Sequence, residues 1–179
     1  DPDRLTVYES SFYDDKKRPY DYSVIDVYSR MYPALTEVRE YLDSDPDKPF
    51  LLLEYCHAMG NGPGDLEDYH EMIVAERAMC GGFVWEWCDH AVVLGTADDG
   101  RTSYGYGGDS GELIHDGNFC VDGLVSPDRI PHVGLLEFAS VNRPVRVDAY
   151  DQATGELRLR NMLDFADLSG RVTLSYEVT

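Results

Sequence analysis

Phe50-Leu51-Leu52-Leu53 is an unbroken apolar run that ends on Glu54, with Tyr55, Cys56 and His57 next and Gly60 breaking the chain soon after. Bounded by Lys48 and Gly60, the run suits a strand covered on both faces, because strands of parallel sheets read as near-continuous apolar stretches. The C-terminal end of such a strand is where barrel enzymes carry their chemistry, so a carboxylate there is delivered to a pocket. Glu54 is the first candidate reactive residue.

The surrounding pattern is α/β. Leu5 to Tyr8 and Ser23 to Tyr28 read as short strands, and Pro33 opens a helix over Ala34 to Leu42 with Leu35, Val38 and Leu42 on one face. Phe50 to Tyr55 is the next strand. A helix from Asp65 to Met79 carries Asp65, Glu67 and Asp68 in its first turn and Arg77 near its end, matching the helix dipole, and Gly81-Gly82 stops it. Phe83 to Trp87 follows as a strand. Strands alternating with helices imply parallel crossovers and a sheet with helices on its faces. Regularity is lost between Cys88 and Pro131, a stretch far longer than an ordinary connection. After a short helix at Val133 to Ala139 the mode changes to antiparallel β: Val145 to Tyr150, Glu156 to Met162 and Arg171 to Val178 read as strands, the first two joined by a turn at Asp151 to Gly155. A domain boundary is expected near Arg143-Pro144.

Composition excludes several functions. With 15 Lys+Arg against 34 Asp+Glu the net charge is −19, which repels nucleic-acid phosphates and anionic lipid. No apolar segment is long enough to span a membrane and no basic-then-apolar leader is present; the chain starts on Asp1-Pro2-Asp3 without a methionine. Cys56, Cys80, Cys88 and Cys120 form no C-x-x-C pair and adjoin apolar residues, which fits reduced thiols in a cytoplasmic protein.

Three E-x-x-H matches, beginning at Glu54, Glu67 and Glu112, raise the possibility of a di-metal site of the helical-bundle kind. Only the middle one lies on a convincing helix, and so acidic a chain produces such matches by chance. The glycine clusters at Gly60 to Gly64 and Gly105 to Gly111 fail as phosphate loops: no Lys-Ser or Lys-Thr follows the first, and Asp109 stands in the second where an anion would sit. Trp85 and Trp87, two apart on a strand, face opposite sides, so one can line a pocket while the other packs outside. An aromatic ring beside carboxylates suits a sugar, with its apolar C–H face and its hydroxyls.

Together, Lys48 to Asn61, Gly81 to Asp89, Tyr106-Gly107-Gly108-Asp109, Asn118 to Val125 and Asp128 to His132 closely resemble the bacterial family 2 β-galactosidases, in order and in approximate spacing. The resemblance covers Asp1 to about Asn142. It implies the C-terminal half of a (β/α)8 TIM barrel over residues 1–142, with strands five to eight, and the beginning of an antiparallel β-sandwich domain over 143–179. By resemblance Glu54 is the catalytic nucleophile of a retaining glycosidase, which forms a covalent glycosyl-enzyme from terminal β-D-galactosides such as lactose. Tyr32 corresponds to the tyrosine that hydrogen-bonds the nucleophile, with Met31 beside it. His57 corresponds to a sugar-binding histidine and Trp85 to the tryptophan under the galactose. Phe119 and Asp122 fall where the family contacts a monovalent cation and the sugar. Many relatives carry asparagine at the Asp122 position, so charge and cation preference differ here.

The resemblance further implies Mg2+ and Na+ or K+ in the complete enzyme, and a homo-oligomer. It also implies an absence. The family's acid/base glutamate, in an Asn-Glu-Ser type motif, belongs upstream of Asp1, and no Asn-Glu pair occurs in this chain. Retaining hydrolysis needs two carboxyl groups roughly 5 Å apart, so the chain by itself is expected to be inactive and to act within the remainder of a parent polypeptide. The alternatives are another family 2 activity, β-glucuronidase or β-mannosidase, and a non-catalytic sugar-binding module.

Overall fold

The computed structural model describes residues 3–8, 22–175 and 177. The chain divides into two compact units, Asp1–Phe138 and Ala139–Thr179. The first is organised by a three-stranded parallel sheet of β1 (Tyr28–Met31), β2 (Phe50–Tyr55) and β3 (Met79–Val84), in the order β1-β2-β3. Helix α1 (Leu35–Leu42) links β1 to β2, and α2 (Leu66–Ala75) links β2 to β3. The β-α-β-α-β alternation expected from the pattern is therefore present, with β2 in the centre.

Central placement explains the apolar run. Phe50 and Leu52 are fully buried, as is Val38 from α1, and these side chains form the core of the sheet. Loss of a buried leucine of this kind costs about 2–5 kcal/mol. At one end of the sheet Tyr28 stacks on Tyr41 of α1 with ring centroids 3.9 Å apart, and Phe50 lies 5.3 Å and 5.2 Å from the two rings. Helix α1 starts where expected. Pro33 cannot extend a strand ladder, and the Glu37 carboxylate reaches back to accept the Ala34 N–H at 2.7 Å, satisfying an orphan donor of the first turn.

Several boundaries differ from the sequence reading. Leu5 to Tyr8 is not a strand; it runs irregularly beside residues 24–29, with the Asp26 and Val27 N–H groups donating to Thr6 O at 2.9 and 3.2 Å. The strand expected at Ser23 to Tyr28 is displaced. Tyr22–Val24 is a 3-10 turn, and the ladder begins at Tyr28, the first residue with a partner on β2, Phe50. Helix α2 ends at Ala75 instead of Met79, and Gly81-Gly82 belongs to β3 instead of stopping the helix. The glycines serve close approach: a Cβ on Gly82 would lie 2.8 Å from Leu52 Cβ, so β3 can pack on β2 only with hydrogen there.

The stretch from Cys88 to Pro131 holds more structure than expected. β4 (Val92–Thr96) and β5 (Thr102–Gly105) form an antiparallel hairpin, and Gly117–Cys120 is a 3-10 turn. α3 (Val133–Val141) follows. In the second unit β6 (Val145–Asp151) and β7 (Glu156–Asn161) pair antiparallel around the expected turn, where Asp151 Oδ1 accepts the Ala153 N–H at 2.8 Å. The strand expected at Arg171 to Val178 is absent over 171–175; residues 176 and 178 lie outside the described residues. Among the described residues no helix is long and apolar enough to cross a membrane.

Candidate active site

The three parallel strands end side by side, and their backbones are laced together there. The Tyr32 N–H donates to Glu54 O at 2.8 Å, the Trp85 N–H to Tyr55 O at 3.2 Å, and the Ala58 N–H to Trp85 O at 2.7 Å. Tyr32 and Cys56, just past the ends of β1 and β2, have φ of 50° and 49°, in the left-handed region that non-glycine residues seldom occupy. The chain thus turns sharply at both strand ends. Such backbone persists only where its surroundings over-determine it, and it concentrates at functional sites.

These ends open onto a cleft of about 370 Å3 lined by Tyr32, Glu54, His57, Trp85, Phe119 and Asp122, together with Glu86 and His90. Six of the seven residues singled out from the sequence therefore share one cavity. Met31 is the exception: it stands opposite Glu54 in the β1–β2 register and does not line the cleft. A larger hollow, about 680 Å3, is bordered by Asn61, Pro63, His132 and Glu137 and includes neither Glu54 nor Tyr32. Size alone would mislead here; the carboxylates and rings converge in the smaller cavity.

Burial first, then the neighbouring Glu54 carboxylate, raise the Tyr32 phenol far above the usual tyrosine range. The phenol therefore stays protonated beside the carboxylate. His57 lies between two rings, 5.9 Å from Tyr32 and 5.7 Å from Phe119 by centroids. Its Nδ1 accepts the Met59 N–H at 3.4 Å, which leaves Nε2 to carry the proton toward Asp122 Oδ2, also 3.4 Å away. Trp85 Nε1 donates to the same Oδ2 at 3.0 Å.

Asp122 is the deepest polar group in the cleft, 3% exposed, and its Oδ1 is buried without a hydrogen-bond partner. An unspent carboxylate oxygen in a cleft is an acceptor for a hydroxyl or a hard cation. Phe119 brings only a backbone carbonyl as an oxygen donor, so these two residues alone fall short of a cation's full shell. Among the described residues no three His, Cys, Asp or Glu side chains are grouped to hold a metal.

Glu86 and His90 were not singled out from the sequence. Glu86 Oε1 lies 3.0 Å from His90 Nε2, an ionic contact without hydrogen-bond geometry. Burial raises the Glu86 carboxyl above the usual range, against the pull of His90 and with a further push from the negative charge of Asp122. The available signal was a lone carboxylate between two tryptophans at the end of a strand.

Comparison with known proteins identifies the family of the chain. The family model described as glycosyl hydrolases family 2, TIM barrel domain, matches residues 1–147. The chain is 49% identical over 177 residues to a β-galactosidase of Actinobacillus pleuropneumoniae, covering 99% of this chain and 17% of the relative. It is 50% identical over 167 residues to a β-galactosidase of Staphylococcus xylosus, covering 92% and 16%. A β-galactosidase of Kluyveromyces lactis is 37% identical over 175 residues, with 92% and 16% covered. The chain belongs to glycosyl hydrolase family 2, with residues 1–147 in its TIM barrel domain. It spans about one-sixth of the length of these curated relatives.

Proposed function

We propose that residues 1–142 are the C-terminal half of the catalytic barrel of a β-galactosidase and that 143–179 begin the β-sandwich domain that follows. The observation that carries the reading is Glu54 at the end of the central strand, in one cleft with a tyrosine hydroxyl that stays protonated. In a retaining mechanism Glu54 attacks the anomeric carbon of a terminal β-D-galactoside such as lactose, and the glycosidic oxygen leaves with a proton from a second carboxylic acid. Water then takes the galactosyl group from Glu54, with the same second group acting as base. Tyr32 steadies the Glu54 carboxylate as its charge is lost and regained. Trp85 offers a face to the apolar side of the sugar, and His57 and Asp122 offer a donor and an acceptor to its hydroxyls.

The second carboxylic acid is expected from the preceding part of the parent polypeptide. Glu86, already engaged by Asp122 and His90, is not assigned that role. The chain alone is therefore expected to be inactive. A bound Na+ or K+ would take Asp122 Oδ1 and the Phe119 carbonyl and supply fixed positive charge for a sugar oxygen; Mg2+ would need ligands beyond these residues. We place the parent enzyme in the cytoplasm as a homo-oligomer.

The test is Glu54→Gln in the complete parent polypeptide. Turnover of an aryl β-galactoside should fall by about a thousandfold or more, as for loss of a nucleophile. Near-normal turnover would reject the assignment, and a panel of aryl glucuronides and mannosides on the unaltered protein would expose a different sugar preference.

A further inference from the structure

We propose that Asp89 is a positioning residue for the cleft: its carboxylate fixes Asp122 through the adjoining Gly123 N–H, and His132 fixes Asp89. The role of Asp122 as a sugar contact rests on the reading above; the hold itself rests on geometry.

The segment that carries Asp122 lies alongside the one that carries Trp85 and Glu86. The Glu86 N–H donates to Asp122 O at 3.0 Å, Leu124 to Glu86 O at 2.8 Å, Val125 to Trp87 O at 3.0 Å, and Asp89 to Val125 O at 3.0 Å. The Gly123 N–H has a side-chain acceptor instead: Asp89 Oδ1 takes it at 2.7 Å. Asp89 is 7% exposed, so this is a buried, charge-assisted bond of the strong kind. The approach is also as close as a backbone permits. A Cβ on residue 123 would stand 2.1 Å from the Asp89 nitrogen, so glycine is required where the carboxylate grips.

The other oxygen of Asp89 is held from outside the cleft. Oδ2 lies 2.7 Å from His132 Nε2, and the His132 N–H donates to Leu124 O at 3.0 Å. His132 borders the larger hollow and reaches the cleft's supporting segment through its bonds to Asp89 and Leu124. Asp122 needs such support, because its own Oδ1 has no partner to fix the side chain and its Oδ2 is shared between Trp85 and His57. A chain of contacts thus runs from His132 through Asp89 and Gly123 to the acceptor in the cleft.

The experiment uses the complete parent polypeptide and measures galactose binding by calorimetry with KM and kcat for an aryl β-galactoside. Asp89→Ala should weaken galactose binding and raise KM by about tenfold, the scale of a lost buried bond to a charged group. Asp89→Asn, which keeps an oxygen for Gly123, should recover most of that loss. In an Asp122→Ala background, Asp89→Ala should have no further effect, since a residue acting only through Asp122 is not additive with it. Galactose affinity unchanged in Asp89→Ala, or an equal loss with and without Asp122, overturns the proposal. If Asp89→Ala does not fold, His132→Ala tests the same hold from a half-exposed position: weakened galactose binding supports it and unchanged binding overturns it. Unaltered parent that binds no galactose rejects the galactoside reading instead. The hold is then read from a crystal structure of Asp89→Ala or His132→Ala parent, where Asp122 displaced from Trp85 supports it and Asp122 in place overturns it.

Discussion

The indole N–H of Trp85 and the buried carboxylate of Asp122 meet at 3.0 Å, tying the end of β3 to a loop 37 residues further along the chain. The contact converts an aromatic strand end into a wall of the cleft and holds the ring in one orientation. It also gives a buried anion its best donor, with His57 at 3.4 Å as the weaker second.

Trp85→Phe keeps an aromatic face and removes that donor. A buried acceptor left short of a partner costs about 1–3 kcal/mol, so the parent polypeptide should melt at a lower temperature. KM for an aryl β-galactoside should rise in the same variant. A melting temperature and KM both equal to those of the unaltered protein would show that the bond is not formed in solution.

Tyr32→Phe leaves Glu54 without the neighbouring hydroxyl. Loss of one preorganised donor at a reacting carboxylate typically lowers kcat by about a hundredfold or more. The shape of the pH profile gives a second check. Because burial and Glu54 hold the phenol far above its usual range, Tyr32 does not titrate in the working range, and its removal should lower the profile without moving the alkaline limb. An alkaline limb that disappears in Tyr32→Phe would mean that the hydroxyl does ionise there.

The parts legible from sequence were those in which one short segment determines its own state. The run Phe50 to Tyr55 reads as a buried strand, and Pro33 with Leu35, Val38 and Leu42 reads as the start of a helix. The errors came where a residue's reason is a distant partner. Gly81-Gly82 looks like a helix stop, yet Gly82 is glycine because Leu52 and Tyr55 press against it from β2. Tyr28, not Ser23, starts β1 because Phe50 lies opposite. The hairpin of β4 and β5 did carry a local signal, Asp99-Gly100 after Val92-Val93-Leu94, which the surrounding glycines and aspartates obscured. In the site, Glu54 and Trp85 stand out as strand ends, whereas Glu86 gains meaning only when Asp122 folds back against it.

Cys56 occupies a position of left-handed backbone inside the fold, and burial first, then the nearby Asp65, pushes its thiol up to about 12. The thiolate is the reactive form, so native Cys56 should resist alkylation at pH 8. Iodoacetamide labelling followed by peptide mass spectrometry should find it modified only after denaturation. Rapid labelling in the native protein would mean that the end of β2 opens readily.

The pH response of the 3–8 segment follows from Asp26. The Thr6 N–H donates to Asp26 Oδ2 at 2.7 Å and the Thr6 hydroxyl to the same oxygen at 2.8 Å, and these bonds, the backbone one foremost, lower the Asp26 carboxyl below its usual value. A carboxyl whose folded pKa is depressed contributes stability above its unfolded value, about 3.9, and loses it as pH falls through the folded value. Acidification should therefore release residues 3–8 from the segment before β1 at a pH below that of ordinary aspartate titration. Hydrogen–deuterium exchange of the Thr6 amide, corrected for intrinsic rates, should show protection at neutral pH that disappears in acid. Asp26→Ala should exchange at neutral pH as the unaltered protein does in acid. Protection that is the same in both proteins at every pH would mean that Asp26 does not hold the segment.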